Sequence, residues 1–238
     1  MIKFLTLSVL KIFDTIYQKK FIKFLHERGY QKFDTFFDVG AHHGESIFLF
    51  SKHFKINKIY SFEPIKSNFD KLKINLSKSN LKNENIFLEN LGLGDKNKTL
   101  VMKQLKESSS STINDINISS KYFKKKSFFL FGKSKNFFSE TQIKQITLFD
   151  YINDKKIKQI DFLKIDTEGY ELNILAGLEK NFSKVSVVMF EHHYHDMILK
   201  KYKFSDIHSL LINNNFKQIF KSKMPFRKTF EYIYEKIS

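Results

Sequence analysis

The stretch Asp38-Val39-Gly40-Ala41-His42-His43-Gly44-Glu45 constrains this chain more than any other. Before it, Phe33-Asp34-Thr35-Phe36-Phe37-Asp38-Val39 is an aromatic run ending in Val, the composition of a strand buried in a sheet. After it, Ile47, Phe50 and Phe54 recur at helical spacing. The glycines therefore fall where a strand turns sharply into a helix. Glycine tolerates positive φ there and lets another molecule approach the backbone. The helix start adds unpaired N–H groups and a positive dipole end. Such a turn suits a nucleotide-like ligand. A dinucleotide fingerprint needs glycines two and five places after the first, but His42 and Glu45 stand there, so that pattern fails. A second strand, Lys58-Ile59-Tyr60-Ser61-Phe62, follows and ends in Glu63. An acid in that place can accept both hydroxyls of a ribose.

The rest of the chain repeats the alternation of strand and helix. Ile65, Phe69, Leu72 and Leu76 form one helical face behind Pro64, which is expected in the first turn of that helix. Residues 85–90 read as a third strand, 91–95 as a turn, 99–102 as a short extra strand and 142–147 as an edge strand. The run Ile160-Asp161-Phe162-Leu163-Lys164-Ile165-Asp166 is a strong strand with an acid at its end, and Thr167-Glu168-Gly169 turns it into a helix. A fifth strand, residues 185–190, ends in Glu191-His192-His193; a helix over 204–213 and strands at 216–220 and 230–234 close the chain. Polar residues thus gather at five strand ends: Asp38, Glu63, Asn90, Asp166 and Glu191-His192. In an open α/β sheet, ligands bind outside those ends.

Length and composition set the outer limits. The 238 residues fit one α/β domain over 31–238, with an amphipathic helical lead at 1–30 and an irregular loop or lid at 106–140. In the lead, Leu5, Val9, Phe13 and Ile16 recur at spacings of three and four, then Phe21, Phe24 and Leu25 follow. Its apolar run is too short to span a bilayer, so the expected setting is the cytoplasm, with peripheral contact at the inner face of the membrane through 1–30 as the sharper reading. The chain has no cysteine, which excludes disulfides and thiolate-bound metal, and no metal is expected. The formal charge is +16, yet Arg28 and Arg227 are the arginines. Specific phosphate and base readout leans on arginine, so scattered lysine reads first as a solvated face.

Three segments carry a resemblance. Asp38-Val39-Gly40-Ala41-His42-His43-Gly44-Glu45, Phe62-Glu63-Pro64, and Asp161-Phe162-Leu163-Lys164-Ile165-Asp166-Thr167-Glu168-Gly169-Tyr170-Glu171 resemble the FkbM family of S-adenosylmethionine-dependent methyltransferases. Thr147-Leu148-Phe149-Asp150-Tyr151-Ile152 is similar to the segment that precedes the third motif in that family. The resemblance spans roughly residues 33–192 and implies an α/β class I methyltransferase fold. That fold is Rossmann-like, a seven-stranded mixed sheet with helices on both faces and a reversed last strand. It implies S-adenosyl-L-methionine as cofactor, with Gly40, Ala41 and Gly44 against its methionine part and Asp38 orienting it. Glu63 would hold the ribose hydroxyls, the Asn90-Leu91 turn would border the adenine, and Asp166 would sit beside the methyl group. His42 and His43 receive no role.

Methyl transfer from a sulfonium needs in-line alignment more than a metal. An alcohol acceptor must also lose a proton to a base within hydrogen-bond reach. Asp166, Glu168, His192 and His193 are the candidates, and Asp166, Glu168 and His192 are the catalytic assignment. The acceptor implied by the family is a hydroxyl on a sugar, glycan, glycolipid or secondary metabolite. A nucleic-acid acceptor is disfavoured, because Asp166-Thr167-Glu168-Gly169 stands where base-amino methylation usually shows an Asp/Asn-Pro-Pro-Tyr/Phe segment. A catalytically degenerate fold serving as a binding or membrane-associated module is the other alternative.

Overall fold

The aromatic run before the glycine turn does form a strand, and the chain winds around it. The computed structural model describes residues 17–81, 83–105, 111–131 and 138–237. Helix α1 (residues 17–27) leads into β1 (Lys32–Val39), α2 (Glu45–His53), β2 (Lys55–Phe62), α3 (Lys66–Ser77) and β3 (Ile86–Glu89). Then come β4 (Gly92–Gly94), β5 (Lys98–Leu105), the short β6 (Asp115–Ile116), α4 (Lys121–Phe131), β7 (Phe138–Thr147) and α5 (Leu148–Asp154). The chain closes with β8 (Ile160–Ile165), α6 (Glu171–Ala176), β9 (Val185–His193), β10 (Ile198–Leu199), α7 (Phe204–Asn213), β11 (Phe216–Lys223) and β12 (Thr229–Lys236).

The main sheet has seven strands in the order β11-β12-β9-β8-β1-β2-β3. Strands β3, β2, β1, β8 and β9 are parallel, and β12 is antiparallel to both neighbours. From β1 the chain first proceeds outward to β2 and β3, then returns to the other side of β1 with β8. The strand order therefore reverses between β1 and β8, and a crevice opens at their carboxyl ends.

Side-chain alternation along each strand divides the core in two. Phe37, Val39, Leu163, Ile165, Val188 and Phe190 face α5, α6 and α7. Phe36, Phe162, Val187 and Met189 face α1, α2 and α3. The second layer is largely aromatic: the Phe36 and Phe50 rings stack at 4.6 Å, and Phe33 lies 5.1 Å from Phe162. Each fully buried Phe contributes about 1.5–3 kcal/mol of burial. Helix α1 seals this layer with Tyr17, Phe21, Ile22 and Leu25. The described part of the helical lead is thus a helix packed on the domain; Leu5, Val9, Phe13 and Ile16 lie outside the described residues. Among the described residues no helix is long and apolar enough to cross a membrane.

Four local expectations are corrected. Residues 142–147 belong to β7, which is the centre of a three-stranded sheet, parallel to β4 and antiparallel to β5, not an edge strand. Alternation reports one wet face and does not report position within a sheet. The expected turn at 91–95 contains β4. Ile65 caps α3, so Pro64 precedes the cap instead of lying in the first turn. The stretch 106–140 is not irregular throughout, for it holds β6, α4 and the start of β7.

Candidate active site

The carboxyl ends of β1 and β8 meet at Gly40. Its φ is +86°, and a Cβ there would lie 1.9 Å from the carbonyl oxygen of Asp166. The Gly40 and Ala41 N–H groups both donate to the Phe62 carbonyl at 3.0 Å. Gly44, at φ +97°, opens α2, and a Cβ there would meet Leu72 at 2.8 Å. The glycine spacing is therefore demanded first by contacts within the protein. Above this junction lies a cleft of about 1330 Å³. A single small-ligand pocket occupies roughly 300–1,000 Å³, so there is room for two ligands side by side.

At one end the cleft is lined by Gly40, Ala41, Glu63 and Leu91. The buried Glu63 accepts from the His42 N–H at 2.9 Å and the Ile65 N–H at 3.0 Å. Burial pushes its pKa up to about 7 even against these donors. Asn90 does not line the cleft. Its amide donates to the carbonyls of Glu63 at 2.8 Å and Pro64 at 3.0 Å, so it fixes the turn that carries Glu63. Gly44 also lies outside the lining; beside it, His42, His43 and Glu45 offer three donor atoms within 4.8 Å of one another. Glu45 is already engaged there by His42 Nδ1 and the His43 N–H, both at 3.1 Å, which ties the turn to the start of α2.

Asp38 lies beneath the glycine turn, fully buried, with neither carboxylate oxygen hydrogen-bonded. Burial pushes its pKa up to about 6, while Lys164 pulls it down. Strand pairing sets Asp38 against Lys164 and Glu191 against Glu231, and alternation places all four on the α1–α3 side. Lys164 Nζ also reaches Asp166 Oδ2 at 3.1 Å. Although burial opposes its charge, Asp166, Asp38 and Glu191 hold the Lys164 ammonium above the usual lysine range. Burial raises Glu191, and pushes Glu231 up to about 8. One ammonium thus faces four acids. A cationic ligand end fits this surplus; the orphaned Asp38 oxygens are the sign of it.

The turn after β8 supplies the middle of the cleft. Asp166, Thr167 and Glu168 line it. Glu168 and Gly169 have φ +52° and +94°, a left-handed pair that a non-glycine residue enters at a cost. The turn is pinned on both sides: Glu171 accepts from the Gly169 N–H at 2.9 Å, and the Tyr202 hydroxyl donates to Glu171. From the segment before α4, the Thr112 hydroxyl donates to the Glu168 carbonyl at 2.8 Å and the Asn114 amide to the Gly169 carbonyl at 2.6 Å.

The two histidines ending β9 part company. His192 faces α7, packed against Tyr194, Tyr202 and Phe204, and does not line the cleft. Its Nε2 lies 3.2 Å from Lys200 Nζ, and burial pushes its pKa down to about 3. His193 points to the other side and into the cleft. Its Nδ1 meets the Thr229 hydroxyl at 2.9 Å, and its Nε2 lies 3.2 Å from Glu168 Oε2, an ion-pair distance whose angle falls short of a hydrogen bond. Strand period alone could have grouped His193 with Glu191 and excluded His192. Nothing local marked Lys164, Tyr122 or Arg227, which long-range packing brings to the same site.

Comparison with known proteins agrees with this geometry. A family model for the methyltransferase FkbM domain matches residues 38–218. No functionally described curated protein matches the sequence. Among solved structures, methyltransferase FkbM from Methylobacillus flagellatus KT is 18% identical with a TM-score of 0.53, the match covering 85% of this chain and 44% of that one. The chain thus spans less than half of that protein. A putative rRNA-methylase from Clostridium thermocellum is 10% identical with a TM-score of 0.53, covering 92% of this chain and 95% of the other. Magnesium protoporphyrin IX methyltransferase from Synechocystis PCC 6803, solved with bound S-adenosylmethionine, is 8% identical with a TM-score of 0.52, covering 95% and 81%. At these identities the likeness establishes the fold, the expected class I methyltransferase sheet with its reversed strand. With an rRNA methylase among the neighbours, the expectation against nucleic acid gains no support. With the FkbM domain model matched from residue 38 to residue 218, over most of the chain, this protein belongs to the FkbM methyltransferase family.

Proposed function

We propose that this chain is an S-adenosylmethionine-dependent O-methyltransferase whose acceptor is a hydroxyl on a sugar-containing molecule. When bound, the cofactor supplies a methyl group on a sulfonium, an activated leaving-group system that asks only for alignment. Glu63 and Leu91 line the cleft, so Glu63 would accept the ribose hydroxyls and Leu91 would border the adenine. Gly40 and Ala41 would shape the wall beside the methionine part, and the acids Asp166 and Glu191 in the cleft, with Asp38 beneath it, would favour its positive charge. Asp38 acts through its field from beneath the turn, and Asn90 acts by holding Glu63.

The observation that carries the reaction type is the His193–Glu168 pair in the same cleft as Asp166. An acceptor hydroxyl lying there would give its proton to this pair, which would take it up at His193 Nε2 or Glu168 Oε2, while the bound cofactor would supply the methyl group. The base assignment thereby passes from His192 to His193, with Glu168 and Asp166 kept. The described part of residues 106–140 would form the acceptor-side lid, tied to the site through Thr112 and Asn114. Calorimetry with S-adenosylmethionine and its demethylated product tests the first half: heat of binding is expected, and none from either compound rejects it. Asp166→Ala should keep the fold and lose methyl transfer; undiminished turnover would remove Asp166 from the site.

A further inference from the structure

The cleft is polarised. Its floor carries the acids described above, whereas its outer rim gathers Lys121 and Lys125 from α4 with Arg227 and Lys228 from the hairpin between β11 and β12. The three lysines make no ion pair among the described residues. Asp196 is the acid on this side. The same hairpin presents Phe226, 76% exposed and held at φ +59°, and Tyr194 on the facing edge is 47% exposed. Tyr122 links these groups to the base through His195: its ring stacks on His195 at 4.1 Å, and the His195 ring lies 5.1 Å from that of His193. Burial raises the Tyr122 hydroxyl, Arg227 lowers it and Glu168 raises it, so that hydroxyl lies within electrostatic reach of both the rim and the base.

Exposed aromatic rings offer flat apolar faces to a sugar ring, and the lysine ammoniums and the Arg227 guanidinium around them select an anionic one. We infer that the acceptor end of the cleft is a subsite for an acidic sugar, one whose carboxylate or phosphate is held by Lys121, Lys125, Arg227 and Lys228 while its ring lies on Phe226. This rests on the proposed methyl transfer only in calling the ligand an acceptor; the subsite itself is read from the rim.

Direct binding tests it without turnover. The probes are a tetragalacturonate, a neutral galactose tetrasaccharide, glucose 6-phosphate, glucose and a single-stranded RNA dodecamer, each titrated into the full chain with and without the cofactor product. An acidic sugar should bind about tenfold tighter than its neutral counterpart. The uronate and phosphate arms tell which anion is preferred. The double substitution Lys125→Ala with Arg227→Ala should remove that preference without lowering the thermal midpoint, while Phe226→Ala should weaken acidic and neutral sugars alike. Equal binding of acidic and neutral sugars, no binding by any sugar at millimolar concentration, or a preference that survives the double substitution would overturn the inference. RNA binding tighter than every sugar, with a steep salt slope, would overturn it in favour of nucleic acid. Failure of the cofactor calorimetry with an intact acidic preference would instead sink the methyl-transfer reading and leave the subsite standing.

Discussion

At one end of the cleft, Gly40, Ala41 and Glu63 follow two neighbouring parallel strands and are held mainly through backbone groups, with the Asn90 amide fixing the turn that carries Glu63. At the other end, His193 and the hairpin that carries Arg227 are joined by the pairing of β9 with β12, which sets Thr229 against His193, whereas Tyr122 arrives on α4 and meets them through side chains. The first end is rigid because strand register sets it. The second depends on how an inserted segment packs across the sheet. A fold built this way can hold one ligand geometry constant while the other is free to vary.

Breaking the rigid end should cost most. Gly40→Ala forces a Cβ into the Asp166 carbonyl at a positive φ and should destabilise the protein by about 3 kcal/mol or more, read as a fall in the thermal midpoint. A comparable loss from Phe226→Ala at the open end would erase the contrast. Next in size is the proposed base. His193→Asn should lower kcat about 10²–10⁴-fold, whereas His192→Asn should lower stability and leave kcat within about threefold of the parent, since His192 is a buried packing residue. Equal losses in the two variants would mean that strand alternation does not decide the base. A smaller effect is expected at Glu63, where Glu63→Ala should weaken cofactor binding about 10–100-fold by calorimetry and leave sugar binding untouched.

The smallest effect is a pH dependence. Asp38 and Glu63 have folded pKa values pushed up to about 6 and about 7, above their ordinary carboxylate range. The folded state therefore holds protons that the unfolded chain has released. The stability these groups contribute is full below the ordinary carboxylate range and is lost as pH rises through 6 to 7. A cationic ligand with hydroxyl donors prefers both groups ionised, so its affinity should rise over the same interval, with proton release detectable from the buffer dependence of the binding heat. Affinity that falls across that interval would place the ligand away from these acids.

Much of the rigid end was legible in the residues. Gly40 and Gly44 bracket a strand-to-helix turn, Glu63 closes the next strand, and both signals are local. The open end was legible only in fragments. Residues 106–140 lack the period of a single element because their described part holds a two-residue strand, a helix and a strand start, so no window of the usual length captures them. The choice of His192 failed for a different reason: proximity to the strand end was weighed, and the two-residue period that turns neighbours to opposite faces was not.

What the chain order alone determined was the winding of strands and helices and the cofactor-side turn, because those follow from hydrophobic period and from glycine and acid at fixed offsets. What only the tertiary structure decided was the charge balance of the site and its acceptor end. Lys164 meets Asp38, and Glu191 meets Glu231, through strand register. The rim arises where α4 and the β11–β12 hairpin approach one cleft. Electrostatics acts through space, and the distances that matter there are fixed by packing between segments far apart in the chain.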